Sequence, residues 1–189
     1  TGGDGGILLS NMGKCGIHPT CIDTVVLSHI HHDHLGGLPN FLAENGGRAE
    51  VYFPESFPMD FRERVSRACK RSFAVGNAIE ICPHVWSTGE LGSFIREQSL
   101  VLDTPGGLVI ITGCAHPGIV EMAVAARKLF EREIYLVLGG FHLTGSSDNK
   151  IRAVIEGLKD LGVKKVAPSH CTGDRAIQLF REAWGEDFL

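Results

Sequence analysis

Four candidate metal ligands stand within six residues: His29, His31, Asp33 and His34. They follow a short β-branched run, 22–27, that reads as a buried strand. They precede Leu35-Gly36-Gly37-Leu38, and a helix is predicted over 34–44. In extended chain, residues i and i+2 face the same side, so His29 and His31 present two imidazoles to one point. Asp33 and His34 lie in the turn into the helix and serve a second point a few ångströms away. The run reads as the nucleus of a centre for two adjacent metal ions, which in two-metal hydrolytic sites stand ~3.5–4 Å apart. Mixed imidazole and carboxylate donors suit zinc, iron or manganese.

Four ligands in one turn cannot close two coordination shells. Three further histidines each follow a predicted strand: His116 after 110–114, His142 after 137–140 and His170 after 166–169. In α/β folds, sites assemble where strand ends open into loops. His18 and His84 have no such setting and read as structural, and His32 should point away from its ligating neighbours. Cys114 and Cys171 read as small packed neighbours of the ligands.

Strands are also expected at 50–53, 73–75, 85–87, 99–102, 108–112, 134–138 and 163–167. Helices are expected at 7–15, 61–71, 119–130, 150–161 and 173–184. The second half alternates β-α-β-α-β-α, and no repeat or linker interrupts it. The expectation is a single α/β domain over 1–189. The basic residues of 61–71 read as a solvated helix face.

Composition narrows the function. Hydrophobic residues make up 43% of the 189, and the net charge is only −4, which excludes disorder as the main state. No stretch approaches ~18 uninterrupted apolar residues, so no membrane span is expected. The acidic balance gives no footprint for nucleic acid. Six cysteines include no Cys-x-x-Cys pair, and reduced thiols in a cytoplasmic protein are expected. The chain opens on Thr-Gly-Gly-Asp-Gly-Gly rather than Met, which reads as a truncated start.

The run Ser28-His29-x-His31-x-Asp33-His34-x-Gly36-Gly37 resembles the signature of the metallo-β-lactamase superfamily. Thr112-Gly113-Cys114-Ala115-His116-Pro117-Gly118, Gly139-Gly140-Phe141-His142-Leu143 and Pro168-Ser169-His170-Cys171-Thr172-Gly173 resemble one branch of it. That branch holds archaeal 7,8-dihydropterin-6-methyl-4-(β-D-ribofuranosyl)aminobenzene-5′-phosphate synthases and bacterial relatives described as metal-dependent hydrolases. The resemblance implies an αββα four-layer sandwich, here lacking its N-terminal strands. It implies that His29, His31 and His116 hold one divalent transition-metal ion and Asp33, His34 and His170 a second. Zinc is the first expectation, manganese or iron the alternatives. The usual bridging aspartate is replaced by Gly139-Gly140-Phe141-His142.

The activity so implied is hydrolysis of a phosphoester or similar small anionic ester. Asp33 would orient water and accept its proton, and His142 would donate to the attacked oxygen or leaving group. The amides of Gly139 and Gly140 would receive an anion; for the anionic substrate of the alternative activity, Lys150, Arg152 and Arg175 would line a pocket. The alternative is a transferase that condenses a pterin-methyl diphosphate with an aryl ribofuranosyl phosphate and releases diphosphate.

Overall fold

The computed structural model describes residues 1–189, which divide into two units, Thr1–Gly76 and Asn77–Leu189. The first begins with α1 (Gly5–Lys14), capped by the Asp4 carboxylate, which accepts from the Ile7 amide at 2.8 Å. Three parallel strands follow in the order β1 (Thr24–Val26), β2 (Glu50–Pro54), β3 (Arg71–Val75). Parallel neighbours need a crossover. The first is α2 (His32–Leu35) with α3 (Leu38–Asn45), and the second is α4 (Met59–Ala68). Leu27, Leu38, Phe41, Leu42, Val51 and Phe53 are the centre of this unit's core. Asn45 is buried beneath them and fully used. Its amide donates to the Pro19 and Ile22 carbonyls at 2.9 and 3.0 Å, and its oxygen accepts from the Ala49 amide at 2.7 Å.

The helix expected over 34–44 is two helices, broken at Gly36-Gly37. A Cβ on Gly36 would collide with the Gly3 carbonyl, and one on Gly37 with that of Thr1. Only glycine lets the first residues of the chain lie against this turn. The basic face of α4 is solvated, as expected: Arg64 pairs with Asp60 at 2.6 Å and Arg67 with Glu63 at 3.2 Å, each one turn apart. The helix stops at Ala68, and Arg71 opens β3 by pairing across to Glu50.

The second unit is a six-stranded sheet in sequence order: β4 (Ile79–Cys82), β5 (Val85–Ser87), β6 (Leu100–Thr104), β7 (Gly107–Thr112), β8 (Ile134–Gly140), β9 (Lys165–Ser169). It is antiparallel through β7 and parallel from β7 to β9. The crossovers are α5 (Ile119–Phe130) and α6 (Asp148–Asp160), and α7 (Asp174–Trp184) follows β9. Met122, Ala126, Ile151, Leu158, Leu179 and Phe180 pack with Ile110, Val137 and Val166 of the strands in one buried cluster. The sequence reading omits β4, a four-residue edge strand of Ile-Glu-Ile-Cys. No helix is long and apolar enough to cross a membrane.

Candidate metal centre

The first ligand set rises from the end of β1. Leu27 anchors that end through its amide, 2.8 Å from the Tyr52 carbonyl of β2. Two residues on, His29 is 0% exposed, with Nδ1 3.0 Å from Ser28 Oγ and Nε2 buried. The His31 ring packs edge-on against it, centroids 4.9 Å apart, and the His34 ring lies 4.2 Å away. Both sit where the chain turns into α2, His31 as its N-cap. The His34 carbonyl accepts from Thr1 Oγ1 at 2.7 Å. Asp33 stands in the first turn of α2 with its carboxylate 3.4 Å from His34 Nε2. The His31 and His34 rings thus both stand against His29, the His34 ring the nearer, rather than His29 and His31 pairing apart from His34. His32 is exposed, as expected. His18 does structural work, its Nδ1 2.7 Å from Thr20 Oγ1 at the start of a 3-10 turn.

The second set stands at the C-terminal ends of β7, β8 and β9, as expected for His116, His142 and His170. The His116 and His142 rings are 4.4 Å apart. His170 opens a 3-10 turn, 170–172, whose Cys171 Sγ reaches the Cys114 carbonyl at 3.6 Å. The Cys171 pKa is lowered to about 5, first by a hydrogen bond with the Cys114 thiol and then by His142 and His170, with burial opposing. Cys114, Cys171 and His142 therefore offer three donor atoms within 4.8 Å of one another. None of the six cysteines is in a disulfide.

Each of these three loops holds one non-glycine residue in left-handed backbone: Ala115 (φ 60), His142 (φ 49) and His170 (φ 51). Such residues cost about 1–3 kcal/mol each and persist only where surrounding structure fixes them. Hydrogen bonds between the loops do so. Gly140 N–H donates to the Gly113 carbonyl and Phe141 N–H to Thr172 Oγ1, both at 3.0 Å. Thr144 Oγ1 donates to the Cys171 carbonyl at 2.8 Å.

One expectation about anion binding needs correction. Gly139 and Gly140 are the last residues of β8, not an open loop, and the Gly140 amide is already bonded. A Cβ on Gly140 would lie 2.5 Å from the Gly113 carbonyl oxygen and 2.8 Å from Cys171 Sγ, so its glycine serves close packing. Arg175 pairs with Asp148 on the surface, its Nε 2.9 Å from that carboxylate.

Sequence reasoning missed Glu97. It is 0% exposed and bonds the loop that carries His116. Glu97 lies in Arg-Glu-Gln, which carries no local motif, and only the fold brings it to residue 116. Beside His116 a cavity of about 330 Å³ is lined by Ser93, Phe94, Ile95, Pro117 and Glu121.

The donor chemistry fits a divalent transition metal: imidazoles, that of His29 with its Nε2 buried, and a nearby carboxylate. Comparison with known proteins agrees. Residues 2–67 match the family model described as the metallo-beta-lactamase superfamily. A protein of Methanocaldococcus jannaschii named 7,8-dihydropterin-6-methyl-4-(beta-D-ribofuranosyl)-aminobenzene-5'-phosphate synthase is 30% identical, over 96% of this chain and 76% of its own. The crystal structure of Tm1679, described as a metal-dependent hydrolase of the beta-lactamase superfamily, superposes with a TM-score of 0.80 at 28% identity, covering 100% of this chain and 83% of that one. The metallo-beta-lactamase fold protein YhfI from Bacillus subtilis shares the fold alone, with a TM-score of 0.64 at 14% identity over 98% of this chain and 78% of that one.

Proposed function

Since the chain belongs to the metallo-β-lactamase superfamily and has its fold, we propose that it is a binuclear metal-dependent hydrolase of a small anionic phosphoester or similar ester. The observation that carries this reading is the convergence of His29, His31 and His34 with Asp33 beside them. By that family likeness, His29, His31 and His116 would hold one ion, and Asp33, His34 and His170 the other. Zinc is the preferred metal, with manganese or iron as alternatives. This sorting of ligands follows from the family likeness.

When bound, two divalent cations would supply Lewis acidity, lowering the pKa of water towards ~7 and neutralising charge on the attacked group. The protein's own residues do the rest. Asp33 is half-exposed, so its carboxylate can orient water and accept a proton. His142 is exposed in its loop and donates to the attacked oxygen or the leaving group. The cavity beside His116 takes part of the substrate. The partner is a small molecule, not nucleic acid or a membrane. Six thiols, none in a disulfide, suit a cytoplasmic setting.

A second reading has its own support in the name of the M. jannaschii relative. In that reading the same site holds a diphosphate leaving group while an aryl acceptor attacks. One assay separates them. Metal-reconstituted protein is given phosphoesters alone, then a pterin-methyl diphosphate with an aryl ribofuranosyl phosphate. Phosphate release from the esters supports the hydrolase. Diphosphate release that depends on the aryl acceptor, with the esters untouched, overturns it in favour of the transferase.

A further inference from the structure

Glu97 meets donors on every side. Oε1 accepts the amide N–H groups of Gly113, Cys114 and Ala115 at 3.1, 2.8 and 3.0 Å. Oε2 accepts the amide N–H of His116 at 3.0 Å and lies 2.9 Å from His116 Nδ1. Four successive amides thus turn inward onto one carboxylate, an anion nest filled by the protein's own side chain. The nest contains the strained Ala115, whose N–H is among those bound. The Glu97 backbone is itself anchored: Glu97 and Leu91 exchange backbone hydrogen bonds of 2.9 and 3.1 Å in an isolated antiparallel bridge.

An ionised carboxylate can only accept. With Oε2 facing Nδ1, the proton of a neutral His116 ring belongs on Nδ1, and Nε2 keeps its lone pair. Carboxylate partners of this kind orient metal-binding imidazoles in many sites. We infer that Glu97 is the positioning residue of His116: it shapes the 113–116 loop and fixes the Nδ1–H tautomer, so that Nε2 is ready for a divalent cation before one binds. The cation rests on the function proposed above; the tautomer does not.

Glu97→Gln distinguishes positioning from mere packing. Glutamine keeps the shape and one oxygen. If that oxygen stays with the three amides, the NH₂ must face His116 and donate to Nδ1, which moves the ring proton to Nε2. A packing role would leave the tautomer unchanged. The readout is a long-range ¹H–¹⁵N spectrum of metal-free protein at mildly alkaline pH, with His116→Gln to assign the signal, followed by zinc titration. The expected result is Nδ1–H in the wild type and Nε2–H in Glu97→Gln, with zinc affinity lower by roughly 10–100-fold. An Nε2–H ring in the wild type, or undiminished affinity in the variant, overturns the inference. If Glu97→Gln does not fold, the wild-type spectrum decides alone. Failure of both proteins to bind zinc overturns the metal reading, and the tautomer still decides the role of Glu97.

Discussion

At the scale of single residues, the carboxylate of Asp33 carries the most chemistry. It stands in the first turn of α2, beside His34 and away from the packed interior. Asp33→Asn is therefore expected to abolish turnover while the circular dichroism spectrum stays that of the wild type; retained turnover would remove Asp33 from the mechanism. His142→Ala should lower turnover more than it lowers bound metal, measured on the same samples. Loss of both ions with the imidazole would make His142 a ligand instead of a proton donor. Asp33 is legible in the sequence because it falls in the turn after the i, i+2 pair His29 and His31, and His142 because it follows a strand end. Glu97 is not, because its partners are backbone amides, which leave no trace in residue identity.

At the scale of elements, the parallel strands β7, β8 and β9 bring the loops of His116, His142 and His170 to one edge, and hydrogen bonds there fix them. Thr172 is the buried knot: Oγ1 accepts from the Phe141 amide and donates to the Ser169 carbonyl at 2.6 Å. Thr172→Val keeps the shape and leaves that buried amide without an acceptor. It should cost about 1–3 kcal/mol in urea unfolding of metal-free protein; no change would mean the loops are fixed by other contacts. Most elements follow from hydrophobic period and turn residues, and α5 matches its expected bounds. The break between α2 and α3 does not follow. Gly36 and Gly37 read as an ordinary helix start until the chain's first residues are seen lying against them.

At the scale of the molecule, each unit has its own buried cluster and its own ligand set. Family membership joins them in one reading. A cation that binds only folded protein adds stability, about 2.7 kcal/mol at a hundred times its dissociation constant. Chelation should thus lower the calorimetric melting temperature and added zinc restore it, with a smaller swing in His116→Ala. An unchanged melting temperature would mean that no tight site exists. The most direct measurement is elemental mass spectrometry of protein purified without chelator, beside His116→Ala. The binuclear account predicts about two transition-metal equivalents per chain and fewer in the variant. Near-zero metal after reconstitution, or the same content in both proteins, would contradict it.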